Sequence, residues 1–160
     1  MRSNVINASS GKYNYDRRRT QLIDNSAAVT RTLLDDESGT LFLVDLSTVD
    51  NDITLTLPTA SGSEGVWYDF CFTVNSDDDA DFIINTGAAG TDIYGGIVTL
   101  AANSTVDAFA GISTITVDGS VAQSSEGLKL SFLCDGTNWH LSGHIMTAIG
   151  TVHLVGAAGV

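Results

Sequence analysis

Two runs decide the fold: Ile53–Leu57, ITLTL, and Val66–Val74, VWYDFCFTV. In the first, Ile53, Leu55 and Leu57 alternate strictly with Thr54 and Thr56. Successive side chains on a strand point to opposite faces, so a period of two marks a half-buried strand. In the second, Phe70, Phe72 and Val74 share one face and are core candidates. Pro58 closes the first run, because it has no N–H to donate to a ladder.

The same reading extends outward. Thr40–Leu46 (TLFLVDL), Asp81–Asn85, Ile93–Leu100, Thr105–Ala110, Ser113–Val117, Leu128–Cys134 and Trp139–Ile145 all read as strands. Turn signals separate them: NSDDD at Asn75–Asp79, the glycine-rich TGAAGTD, and DGTN at Asp135–Asn138, which reads as a hairpin. Short strands at this spacing predict an all-β fold, an antiparallel β-sandwich or jelly-roll-like barrel with an extended N-terminal arm. No stretch of ten residues carries a helical period; Asp24–Leu34 reads at most as a short helical turn. No internal repeat has a fixed period, which argues against a solenoid or propeller. Met146–Val160 is apolar and uncharged, and two readings stand for it, a last strand or a subunit contact.

Composition agrees. The 160 residues suit one domain, and only 16% are charged, against about 25% in an ordinary globular chain. Lys, Glu and Gln, the usual residues of exposed helices, are scarce. No apolar run approaches the roughly 18 residues of a membrane span. The start, Met-Arg-Ser-Asn, has no apolar run behind it. The expectation is a soluble protein made in a cytoplasm, with no membrane partner.

The net charge of −12 is unevenly spread. Six of seven basic residues (Arg2, Lys12, Arg17, Arg18, Arg19, Arg31) fall in residues 1–31 beside two acids, a net of +4. Residues 32–160 hold Lys129 against 17 acids, a net of −16. The expected organisation is a basic extended arm, 1–31, and an acidic β-domain, 32–160. A basic terminal tail of no further consequence is the plain alternative. Nucleic acid is not an expected partner, because the body would repel phosphate and the arm could neutralise few charges.

Catalytic and metal signals are weak. His140 and His144 share a strand face, but zinc needs three or four converging ligands; two exposed polar residues is the expected reading. Cys71 and Cys134 form no CxxC and read as buried free thiols. The DxDxD run Asp77–Asp81 lacks the glycine and glutamate of a calcium loop, with Phe82 and Ala88 in their places, and reads as a solvated tip. No GxSxG, HExxH or phosphate-cradling loop is present. The expectation is a non-enzyme with no cofactor and no metal.

ITLTLPTASGSEGVWYDFCFTV (Ile53–Val74), DIYGGI (Asp92–Ile97), EGLKLSFLCDGTNWHLSG (Glu126–Gly143) and the lead-in RTLLDDESGTLFLVDL (Arg31–Leu46) occur in an order that resembles tailed-bacteriophage capsid decoration, or cement, proteins and related virion β-domains. The resemblance covers about residues 31–145. It implies a small all-β domain that trimerises on the outer capsid surface, with the major capsid protein as partner and the virion as location. The pattern also occurs in tail-fibre and spike proteins, so a module that binds host-surface glycan is the alternative.

The family pattern does not cover the arm. There, Arg17–Arg19 offer planar donor forks for carboxylates, and Tyr13 and Tyr15 offer adaptable contact area. Arg2, Lys12, Tyr13, Tyr15, Arg17, Arg18, Arg19 and Arg31 are therefore the expected contacts, to capsid or to a neighbouring subunit. Trp67, Tyr68 and Trp139 are expected in the core, with polar tips reaching a rim.

Overall fold

The chain winds. Its first six strands alternate between two wings of one sheet, and each wing grows by one strand per turn. The computed structural model describes residues 18–48, 50–74, 80–87, 91–99, 105–117, 125–145 and 154–158. Its strands are β1 (Thr20–Asp24), β2 (Val29–Thr32), β3 (Leu41–Asp45), β4 (Ile53–Thr56), β5 (Trp67–Phe72), β6 (Phe82–Asn85), β7 (Ile93–Thr99), β8 (Thr105–Val117), β9 (Lys129–Cys134), β10 (Trp139–Ile145) and β11 (Leu154–Ala158). A single 3-10 turn, η1 (Asp35–Glu37), precedes β3. No α-helix occurs among the described residues.

The sheet order is β1-β3-β5-β9-β10-β7-β8-β6-β4-β2, with β11 on the remaining side of β8. One wing stacks β1, β3 and β5 in parallel; the other stacks β2, β4 and β6 in parallel. The first six strands thus make three rungs. β9 covers the third rung on one wing and β8 covers it on the other, both antiparallel. The sheet curls so that the wings face each other: the Phe82 ring lies 5.5 Å from Phe70 and 5.1 Å from Phe72 across the core.

All-β is the observed class, but the expected antiparallel pairing is corrected. Five strand pairs are parallel, including β10 with β7. Alternation reports which face a residue takes and is the same read in either direction, so it carries no information on strand polarity. Links that cross between wings keep sequence neighbours apart and bring strands two places apart together in parallel. The argument against solenoid winding is corrected for the same reason. Thr20, Leu41 and Asp69 stack in register at steps of 21 and 28 residues, and Val29, Ile53 and Phe82 at 24 and 29. Unequal links hide the repeat.

Three further readings change. Residues 24–34 hold β2 rather than a helical turn, and the sheet takes in residues 20–31 of the expected arm. Thr105–Ala110 and Ser113–Val117 are one strand, β8, which bulges at Gly111 (φ +73°) where Ile93 and Tyr94 pair with Ile112 and Ala110. Leu154–Ala158 does form a strand, on β8. The DGTN hairpin stands: Asp135 Oδ1 accepts from the amides of Thr137 (2.8 Å) and Asn138 (2.7 Å), joining β9 to β10.

The rungs grade in polarity. Inward positions read Gln21, Ile23, Val29 and Arg31 on the first rung, and Phe42, Val44, Ile53 and Leu55 on the second. On the third they read Phe70, Phe72, Phe82 and Ile84. The second- and third-rung residues are all buried, and each contributes about 1.5–3 kcal/mol by leaving water. Trp139 and Tyr68 stack at 5.8 Å in the same core. Tyr68 donates to the Leu34 carbonyl (2.9 Å) and Trp139 Nε1 to that of Pro58 (3.3 Å), so each polar tip is satisfied.

Candidate functional site

The outer face of the β1-β3-β5-β9-β10-β7 wing follows from strand register. One row across it reads Leu22, Leu43, Cys71, Lys129, His144 and Val98. The next reads Thr20, Leu41, Asp69, Ser131, Ser142 and Gly96. The third runs through Trp67, Leu133, His140 and Tyr94. Among the described residues six large apolar side chains are exposed, and five of them lie on this face: Leu22, Trp67, Tyr94, Val98 and Leu133, the last 49% exposed. An apolar group of this kind on an acidic chain marks an interaction surface more than scattered exposure would.

A groove of about 470 Å³ crosses the face, lined by Arg18, Asp69, Lys129, Ser131, Ser142 and His144 among others. Arg18 pairs with Asp69 and donates from Nε to the Gly39 carbonyl (3.3 Å). Its guanidinium lies 4.7 Å from the centre of the Trp67 ring, an attractive cation–π arrangement. Trp67 is corrected from a core position to this face, 37% exposed. The alternation of β5 sends Tyr68, Phe70 and Phe72 inward and leaves Trp67, Asp69 and Cys71 outside. Lys129, the only basic residue after Arg31, stands beside Cys71 and His144 and joins no ion pair among the described residues.

Of the expected arm contacts, Arg2, Lys12, Tyr13, Tyr15 and Arg17 lie outside the described residues. The other three rest on the chain's own acidic body. Besides Arg18, Arg19 donates to the Asp36 carbonyl (3.1 Å). Arg31 donates from one nitrogen to both oxygens of Glu37 (2.5 and 2.6 Å) and sits 5.7 Å over the Phe42 ring. Arg31 points inward from β2 and plugs the first-rung end of the core. Burial and the nearby Asp35, Glu37 and Asp36 raise the Tyr68 hydroxyl above its ordinary range, so it stays a protonated donor.

His140 and His144 are both exposed on this face, as expected. His140 Nε2 lies 2.7 Å from Asp135 Oδ2. That hydrogen bond, with those from Asn138 and Thr137, holds the Asp135 carboxyl down at about 2. His153 and Asp77–Asp79 lie outside the described residues. Cys134 is buried and Cys71 half-buried, and they occupy opposite faces of the sheet as free thiols. Burial pushes the Cys134 thiol up, away from the reactive thiolate. No group of three metal-ligating side chains occurs among the described residues.

The opposite outer face, β2-β4-β6-β8, differs. Its two rows are Thr30, Thr54, Ile83 and Thr116, then Thr32, Thr56, Asn85 and Thr114. None of these eight side chains is charged.

No protein-family model matches the chain, and neither a curated protein nor a solved structure matches it.

Proposed function

We propose that the protein is a bacteriophage capsid decoration protein, a non-enzymatic homotrimer on the outer surface of the major capsid lattice that stabilises the head. One observation carries the docking part of this reading. The apolar side chains Leu22, Trp67, Leu133, Tyr94 and Val98 gather with Lys129 on one sheet face, while the chain as a whole is at −12. A face that combines buriable area with an unpaired cation suits a protein lattice, and the remaining acidic surface keeps particles dispersed. Arg18 holds Trp67 in place on this face and is a positioning residue in the reading.

The test is co-sedimentation with undecorated capsids, comparing the full chain with a Trp67→Ala, Leu133→Ser variant. Saturable binding by the full chain and a loss of about tenfold or more in the variant are expected. Binding by neither rejects the reading.

A glycan-binding module of a tail fibre or spike is the second reading. It is favoured by exposed Trp67 and Tyr94 on the same face as the hydrogen-bonding side chains Asp69, Lys129, Ser131 and Ser142 of the groove, since sugars take aromatic platforms flanked by hydrogen-bonding groups. Quenching of Trp67 fluorescence by host-surface polysaccharide, with no capsid binding, selects it.

A further inference from the structure

The first rung is open at its edges. β1 and β2 end the strand order, so among the described residues each is paired on one side only. The ladder direction is set by Leu41 N to Arg19 O (2.9 Å), Asn25 N to Asp45 O (3.1 Å), Val29 N to Asp52 O (3.1 Å) and Leu33 N to Thr56 O (2.8 Å). Odd-numbered residues therefore bond inward to β3 and β4. The N–H and C=O groups of Thr20, Leu22 and Asp24 on β1, and of Thr30 and Thr32 on β2, point to the open side. Natural edges are guarded by short strands, proline, lysine, bulges, inward-pointing charges or a covering loop. β1 reads TQLID and β2 VTRT, with no proline or lysine in either; β2 is short and carries the inward-pointing Arg31, whose charge Glu37 pairs. Two of the four inward side chains of this rung, Gln21 and Arg31, are polar, and the other two, Ile23 and Val29, pack on the core, so the side chains close the core while the backbone stays available.

The 17 residues before Arg18 contain Lys12-Tyr13-Asn14-Tyr15-Asp16, an alternating, tyrosine-bearing run without glycine or proline, the pattern of a strand. Residues 1–17 carry a net of +2, from Arg2, Lys12 and Arg17 against Asp16, and residues 18–160 carry −14. Acids flank β2 at both ends: Asp52 bonds its first residue through the backbone, and Asp35–Glu37 follow its last.

We infer that Lys12–Asp16 of one copy adds as a strand to the β2 edge of a second copy. Within one chain the link is too short. Arg19 already belongs to the β1 ladder, so only Arg17 and Arg18 would remain to cross from the β2 edge. The links that make this crossing elsewhere, residues 33–40 and 57–66, have 8 and 10 residues. Arg18 is also held by Asp69 and Gly39. From Arg18, extended chain reaches Asp16 within about 7 Å and Lys12 within about 20 Å, so the accepting β2 edge belongs to a copy packed directly beside the donor's β1. Each copy donates one segment and accepts one, a heterologous contact that closes as a ring. Backbone bonds supply affinity, as in other strand additions. The inference rests on the self-association part of the reading above and not on its capsid part.

The test needs no capsid. Sedimentation velocity over a dilution series is combined with site-resolved amide exchange, for the full chain and for Asn14→Pro. That substitution lies outside the described sheet and removes a ladder donor. The expected result is association that grows with concentration, with the Thr30 and Thr32 amides becoming protected in step. Asn14→Pro should weaken association about tenfold or more, the loss of one or two backbone hydrogen bonds, and return both amides to fast exchange. Protection of Thr30 and Thr32 at every concentration overturns the inference in favour of the chain's own segment. A chain that stays monomeric, or an oligomer that Asn14→Pro leaves unchanged, overturns it as well. Failure to sediment with capsids despite this behaviour rejects the capsid reading alone.

Discussion

The first and third rungs occupy the same positions in the winding and differ at half of their inward sites. Gln21 and Arg31 stand on the first where Phe70 and Ile84 stand on the third. The third rung is covered by β8 and β9, and the first by none of the described strands. The difference teaches that polarity inside a wound sheet is set by distance from an open end. A rung that others cover is filled with rings. A rung at the end carries side chains that tolerate water and can still shield the layer beneath, as Arg31 shields Phe42.

That contrast can be broken most severely at the covered end. Gly95 on β7 has φ +130°, and a Cβ there would lie 1.9 Å from the Leu141 carbonyl oxygen on β10. Gly95→Ala must force β7 off β10, at a cost above about 4 kcal/mol. Loss of the cooperative thermal transition, followed by circular dichroism, is the expected outcome, and a native-like melt would refute the closing role of this pairing.

A matched pair of truncations sharpens the contrast. Phe70→Ala should cost about 3–5 kcal/mol by opening a cavity beside Phe42, Phe82 and Phe132. Gln21→Ala, at the equivalent site one end away, should cost about 1 kcal/mol or less. Urea unfolding of both variants decides, and equal costs would mean that the first rung is as tightly packed as the third.

The smallest effect concerns pH. The fold lowers the Asp135 carboxyl to about 2, chiefly through His140, and lowers Asp24 through its bonds from Ser26. Groups depressed in the fold contribute stability above the ordinary carboxylate range and lose it as pH falls toward the folded value. The melting temperature should therefore drop between about pH 4 and pH 2, and less steeply in Asp135→Asn. Identical slopes would show that this turn takes no part.

Much of the fold was legible. ITLTL and VWYDFCFTV alternate as strands do, and β3 to β10 follow from the same pattern. Polarity was not legible, because alternation is unchanged by reversal, and the winding was masked by links of unequal length. β1 and β2 escaped notice because TQLID and VTRT place Gln21 and Arg31 on the inward side, against the usual signal. The outer face escaped for a different reason. A tryptophan in an aromatic run reads as core, and only strand register shows that Trp67 shares a face with Asp69 and Lys129. Arg18, Arg19 and Arg31 could be flagged by charge, but their seats on Asp69, the Asp36 carbonyl and Glu37 required the folded chain.

The winding also orders events in time. Only β7 with β8 and β9 with β10 pair across short connections; in the first three rungs every partner lies 21 or more residues away. Closing such loops costs entropy before any pairing rewards it. The two hairpins at the covered end are thus the local units available to an early nucleus. This topology predicts that the third rung docks on them, the second on the third and the first last, so that the open edge is exposed longest during refolding, an order that pulsed amide exchange would read as late protection of β1 and β2.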